Sequence, residues 1–167
     1  MQKPNPKRKE TNMIKIVTAV EKYEVKPGDV CIFLSGSIDN GAAALWQDEL
    51  LEWLKDYKTD KNVIVFKPRR KEWNPNPSKE ELDEQIEWEL EALSKCSYII
   101  MNILGNSKSP ITLLELGLFH RNPGLYVFCP PEFYRYENVR VSCKKFGVKH
   151  FDDNSTENIK KLLNLLI

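Results

Sequence analysis

Four short apolar runs constrain what this chain can fold into: Val30 to Leu34, Val63 to Phe66, Tyr98 to Leu104 and Leu125 to Cys129. Each is continuous rather than alternating, the pattern of a strand covered on both faces. Stretches of helical length separate them. Gly41 to Lys55 places Trp46, Leu50, Trp53 and Leu54 on one stripe. Ser78 opens a capping box with Glu81, and the helix it starts runs to about Lys95, with Leu82, Ile86, Leu90 and Leu93 as its expected buried stripe. Ser109-Pro110 reads as an N-cap followed by the first helical residue. Asn138 to Phe146 reads as a helix, Val148 to Phe151 as a short strand, and Asn154 or Ser155 as the cap of a last helix through Leu163. Met13 to Val20 alternates weakly, as an edge strand does.

Strands therefore alternate with helices. The expected class is α/β: a doubly wound, mostly parallel sheet of about five buried strands with helices on both faces. A chain of 167 residues suits one domain, expected over 13–167, after a polar, disordered tail from Met1 to Asn12. Lys plus Arg number 25 against 24 Asp plus Glu, so the net charge of +1 gives no general pull toward a nucleic-acid polymer or an anionic membrane. No apolar run nears the ~18 residues of a membrane span, and the N-terminus lacks the apolar stretch of a secretory signal. Cys31, Cys96, Cys129 and Cys143 form no C-x-x-C pair, and His120 and His150 lack zinc-motif spacing. The expectation is a reduced, cytoplasmic protein without metal or cofactor.

In doubly wound sheets ligands sit beyond the carboxyl ends of the strands. Three features map there. Ser35-Gly36-Ser37-Ile38-Asp39-Asn40-Gly41 follows the first buried strand, and is either a backbone cradle for a phosphate or sugar hydroxyl or an ordinary turn. Glu115 lies among apolar neighbours early in the helix from Ser109. It is either a nucleophile, held ionised by the helix N-terminus and reactive through poor solvation, or a glutamate on a narrow solvent face. Glu89 shares a face with Gln85, but Glu84, Glu87 and Glu91 crowd the same helix as solvated charges would. Two carboxylates flanking a glycosidic bond are what glycosyl transfer requires. Arg69, Arg70 and Lys71 either reach a 5′-phosphate or form a solvated loop. Trp73, Tyr134 and Tyr136 either stack on a base or pin their loops.

With these residues in place, the chain resembles the nucleoside 2-deoxyribosyltransferase family and the related 2′-deoxynucleoside 5′-phosphate N-hydrolases. The likeness covers roughly Val30 to Leu163. It rests on Phe33-Leu34-Ser35-Gly36-Ser37-Ile38, on Gln85-Ile86-Glu87-Trp88-Glu89 followed by Ala92-Leu93, and on Ser109 through Gly117, in that order. The resemblance implies a flavodoxin-like fold, a small nucleoside or nucleotide substrate, no metal, and a homo-oligomer. It makes Glu115 the nucleophile that attacks C1′ and forms a covalent glycosyl-enzyme. Glu89 becomes the acid, usually Asp in relatives, that helps bind sugar and manage the base's proton. Ser109 matches a position that is Asp in transferases and Ser in the 5′-phosphate hydrolases. Gly36 and Ser37 match the loop around sugar or phosphate, and Phe33, Ile38, Trp73 and Thr112 complete the expected substrate contacts. Two departures stand out: Phe33 replaces a frequent Tyr, removing a hydroxyl near the nucleophile, and Glu89 is one methylene longer than Asp. The alternatives are a non-catalytic nucleotide sensor, a glycohydrolase of NAD or ADP-ribose-type nucleotides, and a plain interaction domain.

Overall fold

The structure, a computed structural model, describes residues 14–38, 45–70, 72 and 74–167. The N-terminal tail, the Asp39–Gly41 part of the Gly-Ser turn, the expected helix start at Gly41, Lys71 and Trp73 lie outside the described residues. Six strands form one sheet: β1 (Ile14–Thr18), β2 (Val30–Gly36), β3 (Val63–Lys67), β4 (Tyr98–Asn102), β5 (Leu125–Phe128) and β6 (Lys149–Phe151). Five helices are described: α1 (Trp46–Leu54), α2 (Lys79–Lys95), α3 (Pro110–Phe119), α4 (Tyr136–Phe146) and α5 (Thr156–Leu166).

The strand order is β1-β3-β2-β4-β5-β6, and each neighbouring pair is parallel. Leaving β1 aside, this is the flavodoxin-like order, with its switch point where β2 is flanked by β3 and β4. The sheet has six strands rather than about five, because the weakly alternating N-terminal stretch pairs with β3 as an outer parallel edge.

Successive strand residues point to opposite faces, so the sheet supports two cores. On one face Ile32, Leu34, Val65, Ile100 and Phe128 pack against Trp46, Leu50 and Leu54 of α1 and Ile159, Leu163 and Leu166 of α5. On the other, Phe33, Phe66, Met101 and Val127 pack beneath Trp88, Ala92 and Leu93 of α2, Leu116 of α3, and Val139 and Cys143 of α4. All four cysteines are buried and unpaired.

Helix α2 keeps its capping box but not its expected stripe. Ser78 Oγ accepts from the Glu81 amide at 3.1 Å, and Glu81 Oε2 accepts from the Ser78 amide at 2.8 Å. Leu93 is buried, yet Leu82, Ile86 and Leu90 are exposed, and Trp88 and Ala92 face the sheet instead. The reason is the indole. Trp88 packs edge-on against Phe66 and Tyr23, and its Nε1 donates to the Glu21 carbonyl at 3.0 Å. Burying an aromatic of ~150–250 Å² with its N–H satisfied outweighs an aliphatic stripe. That rotation also turns Gln85 and Glu89 toward the carboxyl ends of the strands.

Helix α4 starts at Tyr136 rather than Asn138, and α5 runs on to Leu166. Ser155 is its cap, accepting from the Asn158 amide at 3.3 Å.

Candidate active site

Strand β2 ends where β4 ends, and only glycine allows the approach. Gly36 has φ +142°, opposite Asn102, and a Cβ there would lie 2.1 Å from the Asn102 carbonyl oxygen. The Ser37 amide donates to that same oxygen at 3.0 Å. Thus Gly36 shapes the backbone, and Ser37 follows with its side chain fully buried.

Phe33 and Ser35 share the face of β2 that looks toward α2 and α3. Phe33 is fully buried among Phe66 and Trp88, so it forms the floor beneath the site rather than an open contact surface. Ser35, two residues on, donates its hydroxyl to Glu115 Oε2 at 2.6 Å. The hydroxyl contact to Glu115 thus comes from Ser35, although Phe33 has none.

Helix α3 buries Thr112, Glu115 and Leu116. Glu115 is 8% exposed. Burial raises its pKa to about 7, the Ser35 hydrogen bond opposes the rise, and the charge of Glu89 adds to it. The sequence suggested a carboxylate held ionised by the helix N-terminus. Dehydration wins instead, because Glu115 lies beyond the first turn, where the dipole falls off.

Glu89 is half-buried on α2, and burial raises its pKa as well. A hydrogen bond from Gln85 and the positive charge of Arg70 oppose that rise. The two carboxylates therefore lie close enough to feel each other's charge, one from each helix flanking the switch point.

Beside them is a buried knot of hydroxyls. Ser37 Oγ lies 2.8 Å from Ser107 Oγ and 2.5 Å from Ser109 Oγ, and the last two are 2.8 Å apart. Ser37 Oγ also accepts from the Leu104 amide at 2.9 Å, and Ser107 donates to the Leu104 carbonyl at 2.7 Å. Ser109 is the N-cap residue by position, with Pro110 after it, but its side chain makes no cap bond. It adopts φ +47°, a left-handed conformation uncommon outside glycine, and its hydroxyl faces the knot.

Of the expected site residues, Glu89, Glu115, Gly36, Ser37 and Ser109 meet at this rim, Thr112 is buried on α3 three residues before Glu115, and Ile38 is half-buried next to Ser37. Arg70 is tied to Gln85 and to the Glu81 carbonyl rather than solvated. Tyr136 donates to Asp152 at 2.8 Å and so pins its loop, while Tyr134 is exposed and packs edge-on against Phe133. Two site contacts go beyond the sequence reading: Ser35 enters there only as the first residue of the Gly-Ser turn, without its bond to Glu115, and Ser107 is not named. Ser35 was legible in principle, since strand alternation puts it on the Phe33 face. Ser107 left no signal beyond lying in a rim loop. Two surface depressions, of about 360 and 600 Å³, lie at the opposite, amino-terminal end of the strands, around Pro123. Neither is lined by a carboxylate.

Fold and site together define a doubly wound α/β protein with two interacting, dehydrated carboxylates at the topological switch point. The profile of the family described as "Nucleoside 2-deoxyribosyltransferase like" matches residues 29–133, more than half of the chain, and the chain belongs to that family. The matched segment holds both carboxylates, Ser35 and the serine knot. No curated protein matches the chain significantly.

Proposed function

We propose that this protein cleaves or transfers at the N-glycosidic bond of a 2′-deoxynucleoside or deoxynucleotide, through a covalent ester on Glu115. The observation that carries the proposal is the Glu115 carboxylate, nearly dry, hydrogen-bonded to Ser35 and within the field of Glu89. The base leaves C1′ with the electron pair of the C–N bond as Glu115 forms the ester bond there, through an oxocarbenium-like transition state, while Glu89 gives its proton to the leaving base. Water or a second base then takes the sugar from Glu115, with overall retention at C1′. A 2-deoxy sugar suits this course, since no 2′-hydroxyl withdraws electrons from the developing cation. The neighbouring apolar side chains limit stray hydrolysis of the ester. Gly36, Ser37, Ile38, Ser109 and Thr112 would hold the sugar side, all within one domain over 13–167 of a cytoplasmic protein.

The protein works as a homo-oligomer in this proposal. Helix α3 is apolar on nearly every side, a pattern that belongs to a buried helix, yet Ile111, Leu114 and Leu118 are exposed. On α2, Leu82, Ile86 and Leu90 are exposed too. Ile111, Leu114 and Leu118 sit within about a helical turn of Glu115, Ile86 and Leu90 within a turn of Glu89, and Leu82 one turn further on, so a second copy seated on them would cover the helices that carry both carboxylates.

The test is base release followed by chromatography over a panel of deoxynucleosides and deoxynucleotides. Wild type releases base, and Glu115→Ala, folded to the same degree by circular dichroism, releases none. Undiminished release by Glu115→Ala removes the nucleophile, and ligand binding without release by wild type favours a sensor instead.

A further inference from the structure

Glu89 reaches the site through a chain of partners that the proposed reaction does not itself require. A primary amide has one acceptor oxygen and two donor hydrogens. The Gln85 oxygen accepts from Arg70 Nε. Its nitrogen donates to Glu89 Oε1 at 2.8 Å and to the Pro68 carbonyl at 3.3 Å. Arg70 is anchored in turn, donating from Nη2 to the Glu81 carbonyl at 3.3 Å. A guanidinium offers only donors and a carboxylate only acceptors, so flipping the amide would break both contacts at once. The orientation of Gln85 is thereby fixed by its neighbours. Its position four residues before Glu89 on α2 brings the two side chains onto one face.

We propose that Gln85 is a positioning residue: with Arg70 behind it, it fixes Oε1 of Glu89 and leaves Oε2 to hand its proton to the departing base, which takes the electron pair of the broken C1′–N bond. This deepens the glycosidic proposal and rests on it. The same contacts fasten the Pro68–Arg70 segment to α2, and the experiment must separate that tether from the aiming of Glu89. Gln85→Glu does so. It keeps side-chain length and an acceptor for Arg70, but when ionised it presents no donor to Glu89 or to the Pro68 carbonyl and sets a like charge beside Glu89. Gln85→Met removes donor and acceptor together.

Base release is measured from pH 5 to pH 9 for wild type, Gln85→Glu and Glu115→Ala. Alongside, the Glu89 carboxyl is titrated by carbon-13 NMR in wild type and Gln85→Met, with Glu89→Gln to assign the signal. In Gln85→Glu, kcat falls on the order of tenfold or more, since a hydrogen bond to a charged group is lost and a like charge replaces it. KM stays within about twofold and the melting temperature falls less than in Gln85→Met, since the Arg70 part of the tether survives and only the Pro68 part is lost. In Gln85→Met the Glu89 titration moves to higher pH, because the bond that favours its charged form is gone. Wild-type kcat and pH profile in Gln85→Glu, or an unmoved Glu89 midpoint in Gln85→Met, overturns the assignment. Release retained by Glu115→Ala would instead break the glycosidic proposal, while the NMR midpoint would still decide the role of Gln85.

Discussion

The two faces of the sheet obey the patterning rules to different degrees. Under α1 and α5 the arrangement is regular. Ile159, Leu163 and Leu166 of α5 repeat at helical spacing, all are buried, and Ser155 caps the helix. Under α2 and α3 the pattern is inverted. Glu115 and Thr112 are buried, Glu89 is half-buried, and Leu82, Ile86, Leu90, Ile111, Leu114 and Leu118 face outward. One face holds the sheet together. The other departs from local preference in the way that working sites do, with dehydrated charge, a left-handed serine and unpartnered apolar surface.

Removing a carboxyl from the working face should have the largest effect. Glu115→Ala should abolish base release with the fold intact. A large effect of another kind belongs to the quiet face. Leu163→Ala leaves a cavity beneath the sheet and should cost about 2–5 kcal/mol in urea unfolding. Activity per folded molecule should stay near wild type. A fall in specific activity comparable to that of Glu115→Ala would erase the division between faces.

The working face should also be less stable than it need be at alkaline pH. Glu115 holds its proton to about pH 7, against an ordinary value of 4.5, so the folded state binds more protons than the unfolded state between those limits. Its contribution to stability is complete below pH 4.5 and is lost as pH rises through about 7. Glu115→Gln should therefore stabilise the protein by about 3 kcal/mol at pH 8 and hardly at all at pH 4, read as the difference in unfolding free energy. A gain independent of pH would point to packing rather than charge.

A smaller effect concerns the outward leucines. Leu114→Ser should change the unfolding free energy of an isolated subunit by no more than about 0.5 kcal/mol, since the side chain is 57% exposed. It should nevertheless lower the molecular mass seen by light scattering. Equal mass for wild type and variant would leave that face without a second copy.

How much of this was legible in the sequence follows the same division. Continuous apolar strands and the α1 and α5 stripes could be read because periodicity reports burial directly. The parallel sheet followed from the alternation of elements. Helix α2 misled because it carries two apolar arcs, and the sequence does not say that Trp88 needs the inner one. Glu115 and Glu89 stood out through motif order, but the dryness of Glu115 depends on β2, which is eighty residues away in sequence at Ser35. The serine knot joins residues seventy and more apart. No local pattern announces contacts of that range.

In the proposed reaction the Glu115 carboxylate forms a bond to an anomeric carbon. Wild type, incubated with the deoxynucleoside or deoxynucleotide it cleaves fastest and quenched in acid, should gain the mass of one deoxyribosyl or phosphodeoxyribosyl group. Peptide mapping should place that mass on Glu115. Rapid release of base with no added mass in rapid-quench samples, or an adduct on any other residue, would contradict the account.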